Sequence, residues 1–145
     1  MVMVTVVVVS GLACGALAVL LFLGLVALGL PLLAGGRGGL GVFAGPTVGF
    51  LVGFPIAAFA TGWIMEKMRG TPVFPAAIIA AILGGIVVLY IPGILGMSAM
   101  LDMTLTQATV SMAPFIPGDL IKAGLAAGLT AALYKARPSS VLSRA

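Results

Sequence analysis

The sequence has no histidine, one cysteine and only three acidic residues in a chain of 145. Without histidine, and with no Ser or Cys beside a plausible base, it lacks the groups that nucleophilic or acid–base catalysis requires. The single cysteine, Cys14, cannot form an internal disulfide and has no His or Cys companions with which to bind a metal. We therefore predict that the protein is not an enzyme, that it has no catalytic or metal-binding residues, and that Cys14 is a small buried hydrophobic residue.

Phosphate-binding signatures are missing as well. No G-x-x-x-x-G-K-S/T motif occurs, so any ATP-driven step must belong to partner proteins. Gly36, Gly38 and Gly41 formally match G-x-G-x-x-G, but that motif binds dinucleotides only after a strand in a soluble βαβ unit, and no such unit is predicted here. We predict that the chain itself uses no cofactor.

What the sequence does contain is apolar. Hydrophobic residues make up 62% of the chain, charged residues make up 7%, and the mean hydropathy is +1.34. About 20 apolar residues in helical form cross a hydrocarbon layer of about 30 Å. Four stretches qualify: one within Met1–Leu30, and others at about Pro46–Met65, Val73–Met97 and Ala113–Tyr134. This pattern predicts an all-α fold, a polytopic transmembrane helix bundle with about four spans, in which residues 1–145 form a single integral membrane domain.

The basic residues predict an orientation, because Lys and Arg are enriched in the cytoplasmic loops of membrane proteins. With four spans, five basic residues share one face with the N-terminus: Lys67, Arg69, Lys135, Arg137 and Arg144. Arg37 alone lies on the opposite face, and the apolar run before it lacks the basic leader of a cleaved secretory signal. We predict a multi-pass protein of the bacterial cytoplasmic (inner) membrane with both termini cytoplasmic. Because this asymmetry accounts for the net charge of +4, it indicates contact with membrane lipid and does not indicate nucleic acid.

The segments between and within the spans have distinct compositions. Residues 32–45 are rich in glycine, which permits a tight fold-back over the helix ends. Pro92 and Gly93 predict a kink or an early stop in the third span. Residues 101–112 are too polar to span, and they predict a short helix lying in the membrane interface.

Pairs of small residues four positions apart allow helix backbones to approach closely. The chain has three such pairs: Gly11/Gly15, Gly49/Gly53 and Gly124/Gly128. They favour a compact bundle, although glycine is also generally frequent in membrane helices.

Asp119 and Lys122 are the only charged residues within a predicted span. Their i, i+3 spacing places them on one helix face, within the outermost ~8 Å of a helix that begins near Pro117. Each ionised group in the apolar layer costs about 2.5 to 3.5 kcal/mol on insertion scales, so such a pair suggests a binding function. Structural alternatives remain for both residues: Asp119 caps the helix N-terminus, and Lys122 simply extends to the surface or pairs with Asp119. Near the same external rim, Arg37, Thr47 and Gln107 are further polar candidates.

Two ordered blocks of sequence resemble a known family. Residues 35–50, GGRGGLGVFAGPTVGF, followed by LVGFP at residues 51–55, resemble the central signature of the BioY family of biotin transporters. Residues 114–122, PFIPGDLIK, resemble that family's last-helix motif, with Asp119 and Lys122 at its acidic and basic positions. Residues 16–21 and 29–31 also look familial, so the resemblance covers nearly the whole chain.

The resemblance implies the substrate-specific S component of an energy-coupling factor transporter, which captures biotin while a transmembrane coupling protein and two ABC-type ATPases drive its release inward. Asp119 would then accept hydrogen bonds from ureido N–H groups, and Lys122 would meet either the valerate carboxylate or the ureido oxygen. The segment containing Gly45, Pro46, Thr47, Gly49 and Phe50 would line the pocket beneath the glycine-rich loop.

The sequence departs from the family pattern at two points. The family commonly has Tyr where Phe50 stands, and its members have about six spans, so this chain is expected to lack the N-terminal helix or helices. Two other functions therefore stay open. One is a truncated, non-transporting membrane remnant or assembly subunit, and the other is an S component for another small carboxylate vitamin.

Overall fold

In a computed structural model, the protein is a bundle of helices. The structure describes the backbone of residues 2–33 and 35–141, and it describes the side chains of residues 14–141 apart from residues 34 and 140. The helices are α1 (Val2–Ala27), α2 (Val48–Lys67), α3 (Val73–Ile82), α4 (Leu89–Leu101), α5 (Leu105–Met112) and α6 (Phe115–Ala136). Short 3₁₀ turns occupy Leu40–Ala44 and Pro138–Ser140. The described part contains no strand beyond one isolated bridge between Leu33 and Arg37, so the predicted all-α class is confirmed.

Three continuous helical segments are long and apolar enough to cross a membrane: Val48–Lys67, Val73–Leu101 and Phe115–Ala136. They agree with the second, third and fourth predicted spans. The first predicted span corresponds to α1, whose described side chains form the shorter apolar segment Cys14–Ala27. The chain is therefore a multi-pass membrane protein.

The helices pack through small residues and direct large apolar side chains outward. Ala76, Ala77 and Ala80 of α3 are buried against Met65 of α2 and Ala127 of α6. Large aliphatic side chains lie exposed on the outer surface, including Leu17, Leu21, Leu125 and Leu129. This arrangement suits lipid, because lipid tails solvate Leu as well as a protein interior does, whereas small residues let helix backbones come close.

Cys14 lies on that outer surface and is exposed, so the prediction that it is buried was wrong. The error has a physical reason. An apolar residue of a membrane helix is as compatible with lipid as with the core, so hydrophobicity alone does not indicate which way the residue faces.

The glycine-rich segment folds back over the end of α1, as predicted. The Gly39 N–H donates to the Val26 carbonyl at 2.7 Å, and a Cβ on Gly38 would overlap the Leu30 carbonyl. Gly35, Gly36 and Gly39 adopt positive φ angles of 79°, 70° and 84°. Residues other than glycine rarely adopt positive φ angles, so the high glycine content of this segment matches the backbone conformation that it adopts.

The third span is interrupted at its centre, and it continues past its proline. Leu83–Val88 form a π-helical segment between α3 and α4, and the helix then runs through Pro92 and Gly93 to Leu101. Of the predicted kink or early stop at Pro92, the early stop was therefore wrong. Pro92 has no N–H to donate to the carbonyl four residues earlier, that of Val88, and the wider π turn ending at Val88 falls where that bond is missing.

Only one of the predicted glycine pairs is seen to bring two helices together. Gly49 and Gly53 are buried against α4, where a Cβ on Gly53 would lie 2.7 Å from Cγ of Pro92. Gly124 and Gly128 have open space where a Cβ would be, so they mediate no close packing among the described residues. Gly15 is buried on α1, but the surroundings of Gly11, the other member of the pair, lie outside the described part of the structure.

The polar segment forms the predicted short helix, α5. Its start carries a capping box: Thr104 Oγ1 accepts from the Gln107 N–H at 3.3 Å, and Gln107 Oε1 accepts from the Thr104 N–H at 3.0 Å. Reciprocal bonds of this kind satisfy the donors that a helix leaves unpaired at its N-terminus. The Gln107 side chain, a candidate polar group of the external rim, therefore serves its own helix.

Candidate functional site

Asp119 and Lys122 form an ion pair on one face of α6, with Lys122 Nζ 2.8 Å from Asp119 Oδ1. The Asp119 side chain is 24% exposed, whereas that of Lys122 is 55% exposed. The helix begins at Phe115 with Pro114 in the capping position, where no side-chain cap is formed. Asp119 thus lies beyond the first turn, and the alternative in which it caps the helix was wrong.

Tyr90 on α4 is the third member of this site, and sequence reasoning missed it. Its hydroxyl donates to Asp119 Oδ2 at 2.5 Å, across 29 positions of sequence. The two carboxylate oxygens are thereby held from two helices, Oδ1 by α6 and Oδ2 by α4. One available signal was that Tyr90 is the more central of only two tyrosines, because a tyrosine hydroxyl in an apolar setting usually finds a partner.

Phe50 joins the site from α2. Its ring meets that of Tyr90 edge to face, with the centroids 6.2 Å apart and the planes at 85°. This geometry suits the opposite charges of an aromatic face and edge. Gly93 leaves room for the Phe50 ring, because a Cβ there would lie 2.5 Å from Phe50 Cζ. Phe50 is therefore linked through Tyr90 to the carboxylate, so side chains of α2, α4 and α6 meet at this point.

The other predicted pocket residues lie just before and within the start of α2. Gly45 directly follows the 3₁₀ turn, and its carbonyl accepts from the Val48 N–H at 3.0 Å. Thr47 precedes the helix without a side-chain cap, and its carbonyl accepts from the Phe50 N–H at 3.1 Å. Gly49 is buried against α4. Among the described hydrogen bonds, those of Gly45–Thr47 are local, so this segment, with Pro46, is placed beside Phe50 and not joined to the ion pair.

The arrangement offers both hydrogen-bond acceptors and donors to a small molecule. Each oxygen of the Asp119 carboxylate accepts one described hydrogen bond and retains further acceptor capacity, and the Lys122 ammonium has two more N–H groups to donate. The two charges cancel, which reduces the cost of placing them in an apolar layer. A solute that carries N–H donors and a carboxylate complements such a pair. The described residues contain no group of three His, Cys, Asp or Glu side chains that would hold a metal.

A charged cleft lies at the other end of α2, about 25 Å from Phe50 along the helix axis. It has a volume of about 290 Å³ and is lined by Trp63, Glu66, Lys67 and Arg69. Lys67 Nζ lies 5.8 Å from the Trp63 ring centroid. Basic and aromatic side chains at a span end are typical of the region of lipid headgroups, so this cleft fits the predicted basic face of the bundle.

Comparison with known proteins finds relatives in sequence and in fold. The sequence model of the BioY family matches residues 1–139. The chain is 51% identical over 139 residues to a protein of Rhodobacter capsulatus named biotin transporter BioY, covering 90% of this chain and 73% of that protein. It is 47% identical over 136 residues to the Rhizobium etli protein of the same name, again covering 90% and 73%. In structure it is similar to the S-component for biotin from an ECF-type ABC transporter, with a TM-score of 0.85 and 29% identity over 92% of this chain and 71% of that one.

Proposed function

Because the chain belongs to the BioY family, we propose that it binds biotin within the membrane and takes part in its uptake as the substrate-specific subunit of an energy-coupling factor transporter. The relatives are transporters and not enzymes. The sequence agrees with that, since it contains no histidine and no phosphate-binding loop. ATP is then hydrolysed by other subunits.

The observation that carries this proposal is the Asp119–Lys122 pair, held to α4 by Tyr90. Biotin has a ureido ring with two N–H donors and one carbonyl, an apolar thioether ring, and a carboxylate on a flexible chain. Asp119 accepts from the ureido N–H groups, and Lys122 donates to the carboxylate or to the ureido oxygen. The Phe50 ring supplies apolar contact for the fused rings.

The start of α2 supplies the rest of the proposed pocket. Gly45, Pro46 and Thr47 lie directly before the helix turn that carries Gly49 and Phe50. We assign these five residues to the pocket wall beneath the glycine-rich loop. The loop's tight fold on the end of α1 supports this assignment, because the loop leads to α2 through the 3₁₀ turn that Gly45 directly follows.

We propose a transmembrane coupling protein and two ABC-type ATPases as protein partners. Membrane lipid contacts the rest of the outer surface. The structural similarity to an S-component supports partners of this kind. The proposed location is the bacterial cytoplasmic membrane with both termini cytoplasmic, since basic residues concentrate on the face that carries Lys67, Arg69 and Arg137. Residues 1–145 then act as one integral membrane domain.

The proposal is tested by equilibrium binding of radiolabelled biotin to the purified chain in lipid nanodiscs. We expect saturable binding by the wild type, and its loss in the double variant Asp119→Asn, Lys122→Ala. The matched control is Glu66→Gln, Lys67→Ala, which removes an acidic and a basic side chain at the opposite end of α2. Wild-type affinity in the Asp119/Lys122 variant would rule out the site.

Three further measurements separate the alternatives. Competition of radiolabelled biotin with other small carboxylate vitamins identifies the ligand. A vitamin that binds more tightly than unlabelled biotin would be assigned as the substrate in its place. Comparing the affinities for biotin and for its uncharged amide shows which group of the ligand Lys122 contacts. If the ammonium meets the carboxylate, the wild type prefers biotin to the amide, and this preference disappears in Lys122→Ala.

Uptake in a biotin-requiring host, with and without coupling subunits, tests the transport step and the partners.

A further inference from the structure

Tyr90 lies in the site without belonging to either sequence block that pointed to biotin. Resting on the function proposed above, we propose that Tyr90 is a positioning residue: it fixes the rotation of the Asp119 carboxylate so that its remaining acceptor sites face the N–H donors of the ligand. The role concerns how the site is prepared for a ureido-type ligand, and it involves no chemical step.

The geometry at the carboxylate supports this role. The final torsion of an aspartate side chain is broad and roughly two-fold, so packing alone defines its plane poorly. Here Oδ1 is held by Lys122 on the same helix, and Oδ2 is held by the Tyr90 hydroxyl from α4. Two donors from different helices define the carboxylate plane, whereas Lys122 alone, on a long and largely exposed side chain, does not.

Tyr90 is itself held in place by its neighbours. The Phe50 ring meets it edge to face, and Gly93, one turn along α4, accommodates that ring without a Cβ. The π segment Leu83–Val88 lies directly before α4, the helix that carries Tyr90 and Gly93. A π turn contains an extra residue, so it rotates the residues after it by roughly one position, about 100°. The orientation of Tyr90 toward α6 therefore depends on a defined feature of the helix.

A simpler role must be distinguished from this one, in which Tyr90 only satisfies its own hydroxyl in an apolar layer. Both roles include the same hydrogen bond, but only positioning links that bond to ligand affinity. The chain is well suited to a direct test, because it contains only two tyrosines, Tyr90 and Tyr134, and only two aspartates, Asp102 and Asp119. Tyr134 lies near the far end of α6 and serves as the matched control.

The test combines binding with a spectroscopic readout of the carboxylate. The full chain is labelled with ¹³C at the aspartate carboxyl carbon, which gives two signals that Asp102→Asn assigns. In Tyr90→Phe we expect the Asp119 signal to shift, the Asp102 signal to stay, and biotin affinity to fall about 10-fold, near the lower end for a hydrogen bond to a charged group. Tyr134→Phe should change neither the Asp119 signal nor the affinity.

Each other outcome overturns the inference in a recognisable way. An unchanged Asp119 signal in Tyr90→Phe means that the hydrogen bond is not formed. A shifted signal with wild-type affinity means that the bond serves the fold and not the ligand. Absence of biotin binding in the wild type overturns the proposed function, and the inference with it, whereas wild-type binding with an unaffected Tyr90→Phe variant overturns the inference alone.

Discussion

Gly49 on α2 and Gly96 on α4 meet backbone to backbone. A Cβ on Gly49 would lie 2.9 Å from Cα of Gly96, and a Cβ on Gly96 would lie 2.6 Å from Cα of Gly49. Such an approach is possible only between residues without side chains. Because Phe50 follows Gly49 directly, this contact helps to bring its ring against Tyr90, and the packing of two helices thereby shapes the candidate site.

The first prediction concerns this contact. Gly49→Ala should destabilise the protein by about 1–3 kcal/mol, the usual cost of inserting a methyl group into a packed core. The stability is measured by following helix content during titration with a denaturing detergent. Gly124→Ala is the control, since a Cβ there meets open space and alanine favours helix over glycine by up to about 1 kcal/mol. Equal destabilisation by the two substitutions would contradict the described packing.

The second prediction concerns Gly93 and Phe50. Gly93→Ala should displace the Phe50 ring, because the new Cβ would lie 2.5 Å from Cζ and 2.7 Å from Cδ1 of that ring. Biotin affinity should fall, and in a Phe50→Leu background the same substitution should have little further effect. A double-mutant cycle on binding should therefore give a coupling of about 0.5–3 kcal/mol. Additive effects would show that Gly93 and the Phe50 ring act independently.

Hydropathy was sufficient to predict the second, third and fourth spans, because a membrane imposes length and apolarity on each helix before any packing occurs. The conformation of residues 32–45 was predictable for a similar reason, because the positive φ angles at Gly35, Gly36 and Gly39 favour glycine, which the sequence supplies there. The Asp119–Lys122 pair followed from helical spacing and the cost of charge in lipid.

The rotation of each helix about its own axis, which decides which of its residues face the bundle interior, was not predictable in the same way. Lipid and core are both apolar, so the sequence carries little signal for which face of a membrane helix is buried, and Cys14 was assigned to the wrong one. Tyr90 was missed for a related reason. Its direction depends on the π segment at Leu83–Val88, which shifts the helical phase and has no simple sequence pattern.

The third prediction concerns orientation across the membrane. In a Cys14→Ala background, a single cysteine replaces either Leu40, before α2, or Gly70, after it, both exposed in the structure. A membrane-impermeant maleimide added to whole cells should label the Leu40→Cys variant, and it should label Gly70→Cys only after permeabilisation. This result follows from placing the loop with Lys67 and Arg69 in the cytoplasm. The reverse pattern would place both termini outside.

The final prediction separates a binding pair from one that only neutralises charge. The exchange Asp119→Lys, Lys122→Asp keeps an i, i+3 ion pair, so membrane insertion and stability should stay close to those of the wild type. Binding of biotin should nevertheless weaken by at least about 100-fold, because hydrogen bonds to both charged groups are lost. The Tyr90 hydroxyl would then face an ammonium, which has no acceptor for its proton, and the carboxylate would lie at the more exposed position of Lys122. Stability is compared by detergent titration and affinity by equilibrium binding on the same samples. If the exchanged protein binds like the wild type, the sign of the charge at each position is irrelevant, and the pair serves only to balance charge in the membrane.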